Sequence, residues 1–246
     1  QTCALPILAR LIGLDPVAKH ASLDNGERLD FDLASLNLGS LPALSAVPGA
    51  AAYAQPVKPF APFLDAWREL LARRSPLRIA VAGGGASGVE LAMAMRHAVA
   101  KGRGGAVVLH SDSNSLPPAL AERAGRALRR AGVELRNGAP VLAVEPGPTV
   151  VSAAGREAFD VLVWAAGVEA DPLLRNSGLR TDERGFVLVD AALRSVSHPA
   201  VFAAGDTATV QGVGGARSGV YAVRHARVLA ENLMRIVQGQ PMLEYE

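Results

Sequence analysis

Cysteine is almost absent from this 246-residue chain, Cys3 being the single one. One thiol can build neither a disulfide framework nor a CxxC metal or redox pair, so mechanisms that need two sulfurs from this chain are excluded. Lysine is scarce too, confined to Lys19, Lys58 and Lys101, and the 25 basic residues nearly balance 23 acidic ones. With no block of like charge, nothing pulls the protein toward nucleic acid. No uncharged apolar run reaches the roughly 18 residues of a membrane span. A cytoplasmic protein, peripheral to a membrane at most, is expected. The five histidines are scattered, none at HxxxH or HExxH spacing, which removes a zinc site. The N-terminus has neither Met nor a signal-peptide pattern. Its opening "QTCALPI" looks like translated adapter sequence, so the chain is expected to be a fragment.

Half of the residues are hydrophobic, enough for one large or two modest domains. From Leu8 to Gly39 the pattern suits a small β-meander, with Asp24-Asn25-Gly26 as a tight turn. A loop rich in Pro, Gly and Ala follows, then "FLDAWRELLARRS", which spaces Phe63, Trp67, Leu70 and Leu71 as a helix does. From Leu77 onward short apolar strands alternate with amphipathic helices, the mark of a parallel sheet with right-handed crossovers. The arginines at 123, 126, 129 and 130 read as the wet face of one such helix.

The stretch "LRIAVAGGGASGVELAMAMRHA" carries the main chemical signal. Gly83, Gly85 and Gly88 satisfy GxGxxG after an apolar strand and at the start of a helix. In that pattern the first glycine permits a tight turn, the second lets backbone approach a pyrophosphate, and the third lets helix and strand close up. Unpaired N–H groups at the helix start favour phosphate. Ser87 does not form a GxSxG elbow; it and Ser111 are taken as further nucleotide contacts. The acid that holds a ribose 2′-hydroxyl belongs near the end of the next strand. That place reads His110-Ser111-Asp112, with Asp112 about one residue late and no adjacent Arg for a 2′-phosphate. NADH is favoured over NADPH, while Asp112 as a loop or capping residue stays open.

Together "GGGASGVELA", "VWAAGVEADP" and "LRSVSHPAVFAAGD" resemble the two-dinucleotide flavoproteins of the pyridine nucleotide–disulfide oxidoreductase superfamily. The texture of "FDLASLNLGS", "PVKPF" and "GVYAVRHA" is most similar to type II NADH dehydrogenase relatives, including the flavoprotein module fused to selenide, water dikinase. The resemblance implies that Gly83, Gly85 and Gly88 cradle NAD(P)H, with Ala166 and Gly167 passing close to it. It implies that Asp206 accepts hydrogen bonds from the ribityl chain of FAD and that Gly205 brings backbone near. Gly39 belongs to the other FAD-side strand, where Asn37 and Leu38 depart from the family's Ala-Thr pair. Val220 and Tyr221 start a helix aimed at the flavin. Glu90, near the nicotinamide and flavin, Lys58 and Tyr221 are the catalytic candidates, each with a structural role as the alternative; for His225 a partly exposed helix residue is the alternative.

The implied architecture is α/β, a two-dinucleotide-binding-domain flavoprotein fold: a Rossmann-like NAD(P) domain, residues 76–184, inserted in a discontinuous and incomplete FAD domain, residues 1–75 and 185–246. The implied activity is hydride transfer from nicotinamide to FAD and electron delivery to a quinone or a selenium- or sulfur-linked acceptor. A non-catalytic dinucleotide-binding redox sensor or regulatory module of a fused enzyme stands as the alternative.

Overall fold

The computed structural model describes residues 6–73, 75–102, 104–213, 217 and 219–245; Cys3 lies outside them. The chain divides into two compact units, Pro42–Val168 and a discontinuous one made of Gln1–Leu41 with Glu169–Glu246. These changeovers fall earlier than the expected 75/76 and 184/185.

The reason on the first side is packing. Gln55–Pro56 pairs in parallel with Val161–Trp164, and Phe63 and Leu70 of the Phe60–Ala72 helix lie in the core of the same unit. The loop and helix that precede the glycine-rich stretch therefore belong to its unit. On the second side, Leu179, Phe186 and Val187 are buried, and Val187–Val189 pairs with Ala208–Val210.

The Pro42–Val168 unit is built on a five-stranded parallel sheet. Its order is Gln55–Pro56, Val161–Trp164, Leu77–Ala82, Gly105–Ser111, Glu134–Asn137. The central strands are continuous apolar runs because both faces are covered. Ile79, Val81, Val107 and Leu109 pack under the helices Phe60–Ala72, Ala86–Lys101 and Pro118–Ala131. Ala80, Ala82, Val108 and Leu162 face the other way, onto Val141, Val144, Val150 and Phe159.

That second cover differs from simple strand–helix alternation. Val141–Glu145, Thr149–Ser152 and Gly155–Ala158 form a separate antiparallel sheet. The linker Pro146-Gly147-Pro148 is too short for the dozen or more residues of a parallel crossover, so this segment turns back on itself. The Pro118–Ala131 helix begins with Pro at its first position and ends at Gly132 with φ +74°. Its arginines at 123, 126, 129 and 130 are exposed, and Arg126 pairs with Glu122.

In the other unit, Leu11–Asp15, His20–Leu23 and Arg28–Asp30 form the expected meander, with Gly26 at φ +86° in the turn. Ala34–Leu36 then pairs in parallel with Val201–Ala203. Phe186, Phe202, Leu174 and Leu193 are fully buried here, and the Gly219–Val237 helix buries His225, Leu229 and Asn232. Among the described residues no helix is long and apolar enough to cross a membrane.

Candidate dinucleotide sites

In the Pro42–Val168 unit the Leu77–Ala82 strand ends at Gly83, whose φ of +118° lies in the region that favours glycine. A Cβ there would stand 2.5 Å from the Ala165 carbonyl oxygen. A Cβ on Gly88 would stand 1.8 Å from the Gly83 carbonyl oxygen, so the helix rests directly on the turn. Around Gly85 a Cβ would meet nothing within 4 Å. The three glycines thus divide their work: two permit backbone contact and one leaves space.

That space is a cavity of about 460 Å³, lined in part by Gly83, Gly84, Gly85, Asp112, Ala166 and Gly167. The Ala86–Lys101 helix starts at its rim, and no side chain caps its first N–H groups. Those donors and the positive end of the helix suit a phosphate. Sequence reasoning passed over Gly84, where a Cβ would lie 2.3 Å from Ser111 Oγ. It also passed over Ala43, Ala46 and Val47, which line the cavity from the loop rich in Pro, Gly and Ala. A loop without periodicity gives no signal for such a role. Trp164 closes part of the wall, its Nε1 donating to the Ala166 carbonyl at 2.8 Å.

The remaining residues expected at this nucleotide fall into two groups. Asp112 reaches the cavity but also takes the Asn114 N–H at 3.2 Å in a local turn. Ser111 is buried and donates to the Asp112 carbonyl at 2.9 Å, beside Asn137 Oδ1 at 3.3 Å. Ser87 and Glu90 are exposed on the helix and outside the cavity's lining; Lys58, expected as a cation on the flavin side, is exposed in its loop.

His110 faces that cavity and is 1% exposed. Its Nδ1 lies 3.2 Å from the Ala139 carbonyl oxygen, and its ring meets Phe159 edge-on. Burial pushes its pKa below the ordinary histidine value, against the pull of the Ala139 carbonyl.

The second place lies in the discontinuous unit, where two parallel strands end side by side. Gly39, with φ +74°, donates its N–H to Thr207 Oγ1 at 2.9 Å. Ser40 Oγ donates to Asp206 Oδ2 at 2.9 Å. Gly205, with φ +61°, donates its N–H to His225 Nδ1 at 3.1 Å, and a Cβ on it would press on Asn37 and Ala222. Gly205, Asp206 and Tyr221 line a cavity of about 210 Å³ together with Arg217 and His225. Val220 is exposed and outside that lining. His225, expected at a partly exposed position, is buried against Tyr245, and burial lowers its pKa.

Beside this turn an ion-pair cluster braces the chain. Arg217 Nη2 reaches Asp182 Oδ2 at 3.2 Å and donates to Thr209 Oγ1 at 2.6 Å. Its guanidinium stands 3.5 Å from the Phe186 ring centroid, and its Nε donates to the Asp206 carbonyl at 3.3 Å. Burial alone would raise the Asp182 carboxyl; hydrogen bonds from Thr209 and the Phe186 N–H, with the Arg217 charge, outweigh it and hold it below its ordinary value. Among the described residues no group of three or more His, Cys, Asp or Glu could hold a metal ion.

An NADH dehydrogenase-like protein of Mycobacterium tuberculosis is 29% identical over 96% of this chain and 64% of its own length. A type II NADH:quinone oxidoreductase of Haemophilus influenzae is 26% identical over 74% of this chain and 45% of its own. The chain thus spans less than two thirds of the length of these curated relatives. A solved ferredoxin reductase from Rhodopseudomonas palustris shares the fold, with a TM-score of 0.80 at 20% identity, over 98% of this chain and 60% of that one. The model of the pyridine nucleotide-disulphide oxidoreductase family matches residues 8–229, and the chain belongs to that family.

Proposed function

We propose that the protein is an NAD(P)H-dependent flavoprotein oxidoreductase, with the pyridine nucleotide in the cavity beside Gly85 and FAD against the Gly205–Asp206 turn. The observation that carries the reading is the division among the glycines: Gly83 and Gly88 admit no Cβ, whereas Gly85 opens on unfilled space at an uncapped helix start. That arrangement fits a pyrophosphate, which needs backbone donors at close range. A carboxylate at a turn of small residues, Ala204-Gly205-Asp206, likewise fits the hydroxyl groups of a ribityl chain. When bound, the nicotinamide supplies a hydride, and the flavin takes it and hands electrons onward.

The chain's own groups position and shield. The first N–H groups of the Ala86–Lys101 helix hold the pyrophosphate, while Ala166 and Gly167 let the nucleotide lie flat against the chain. Trp164 and Val141 keep water from the cavity wall. Asp206 takes the ribityl hydroxyls and Gly39 approaches from the paired strand. Val220 and Tyr221 lie at the start of the helix assigned to the flavin. Glu90 and Lys58, both exposed, are the charged groups this reading assigns to the nicotinamide and flavin side.

The name of the Haemophilus relative supports a quinone as the electron acceptor, which would bring the protein to a membrane surface. Coupling to selenide, water dikinase rests on the sequence resemblance alone. The test is the flavin spectrum of the purified protein with NADH and NADPH added in turn. Bleaching of the oxidised flavin band supports the proposal, and Asp206→Ala should lower flavin content. A colourless protein that binds NADH would sink the oxidoreductase reading and leave a nucleotide-binding regulatory module.

A further inference from the structure

Where the Val201–Ala203 strand ends, the backbone runs out of sheet partners. The Ala204 N–H still reaches the Leu36 carbonyl at 3.1 Å. The next N–H, that of Gly205, has left the sheet, and a buried donor needs an acceptor. His225 Nδ1 supplies it at 3.1 Å, from 20 positions further along the chain. One residue later the Asp206 carbonyl is held by Arg217 Nε at 3.3 Å and the Asp206 carboxylate by Ser40 Oγ at 2.9 Å. Side chains from elsewhere thus hold the turn assigned to the flavin, and His225 holds its first N–H.

The imidazole is fixed in that position. It is 5% exposed, and the Tyr245 ring meets it edge-on with centroids 4.6 Å apart. Tyr245 is fixed in turn, its N–H donating to the Ala191 carbonyl at 2.7 Å. Asn232 ties the neighbouring Leu243, donating to its carbonyl at 2.8 Å and accepting its N–H at 2.7 Å. Because the Gly205 N–H only donates, Nδ1 is bare and the neutral ring carries its proton on Nε2. A second proton, on Nδ1, would set N–H against N–H and place a charge in a buried site. The other holders, the Leu36 carbonyl, the Ser40 hydroxyl and the Arg217 guanidinium, keep one protonation state between about pH 5 and 8.

We infer that His225 is a positioning residue for the flavin: in its neutral form it fixes the Gly205 N–H and so aims the adjacent Asp206 carboxylate, and a proton gained at Nδ1 releases FAD. The inference rests on the flavin reading of this turn and adds the residue that sets it and the pH below which it fails. Asp182, Asp206, Arg217, Tyr221 and Tyr245 line the same cavity as the ring, and Arg224 beside it on the helix is exposed. None of them offsets burial, which by itself holds the His225 pKa below the ordinary value. Flavin affinity is therefore complete above about pH 6.5 and falls about tenfold per pH unit once the pH passes below the His225 pKa.

FAD binding tests this without any turnover. The protein, freed of flavin, would be titrated with FAD between about pH 7.5 and 5, as wild type, His225→Ala and His225→Gln. At pH 7.5 His225→Ala should bind FAD at least about tenfold more weakly than wild type. His225→Gln, whose side-chain carbonyl takes the same N–H but gains no proton, should bind more tightly than His225→Ala. Its affinity should stay level to pH 5, where that of the wild type has dropped. A variant disturbed only in its packing would keep the acid dependence, since every other titrating group is unchanged. Should both variants fail to fold, the ¹⁵N titration of His225 in the wild type decides, because a ligand that requires the neutral ring must move its pKa down. A level affinity in the wild type, an acid dependence kept in His225→Gln, full affinity in His225→Ala, or a His225 titration unmoved by FAD would each overturn the inference alone. No FAD binding by the wild type at any pH overturns it together with the flavin reading.

Discussion

Replacing Gly88 and Gly85 separately by alanine sets the fold requirement against the binding requirement within one turn. At Gly88 the added Cβ would meet the Gly83 carbonyl oxygen at 1.8 Å, and that neighbour is backbone. Reaching ordinary contact requires the Ala86–Lys101 helix or the turn to move by well over an ångström. Overpacking of this kind costs about 1–3 kcal/mol. At about 2–4 °C per kcal/mol for a chain of this size, the melting temperature should fall by several degrees. Gly85 has φ −68° and nothing within 4 Å of its Cβ position. Alanine there gains about 0.4–1 kcal/mol by restricting the unfolded chain. It loses a similar amount because alanine is a poorer N-cap than glycine. The two nearly cancel, so Gly85→Ala should melt within about a degree or two of the wild type. Its methyl group nevertheless occupies the space assigned to the pyrophosphate, and NADH affinity should fall at least about tenfold. Thermal melting and NADH titration of both variants form the assay. A Gly88→Ala protein as stable as wild type, or a Gly85→Ala protein that binds NADH normally, refutes the division of roles.

Three further outcomes follow from the packing and the charges. Leu128 is 1% exposed between helix and sheet, so Leu128→Ala should cost about 2–5 kcal/mol in denaturant unfolding. His225→Ala leaves the buried Gly205 N–H without its acceptor; about 1–3 kcal/mol should be lost, with faster hydrogen exchange at the Gly205 amide as the specific sign. Asp182 is held below its ordinary pKa in the folded chain. Its contribution is therefore complete above the unfolded value of about 3.9 and is lost as pH falls through the lower folded value. Melting curves below about pH 4 should show the wild type losing more stability with acid than Asp182→Asn does.

Much of this molecule was legible because its signals are local. Gly83, Gly85 and Gly88 announce a turn, since the backbone conformation and clearance there tolerate no other residue type at two of the positions. The Asp24–Gly26 turn, the strand at Leu77–Ala82 and the helix at Pro118–Ala131 likewise follow from composition and period over a few residues. Where pattern reasoning fell short, the deciding contact was distant. His110 carried no signal of its own beside Asp112, yet the structure buries it, ties its Nδ1 to the Ala139 carbonyl and includes it in the cavity's lining. His225 read as half-wet until its partner, the Gly205 N–H 20 positions back, was in view.

The sequence by itself determined the α/β alternation, the glycine turn and the family, because these rest on short-range backbone limits and on apolar period. Tertiary structure decided the antiparallel cover of Val141–Ala158, the use of Ala43, Ala46 and Val47 as cavity wall, and which polar groups at the strand ends are already engaged. Those depend on which remote segments meet, and a hydrogen bond or a wall exists only once both sides are in place.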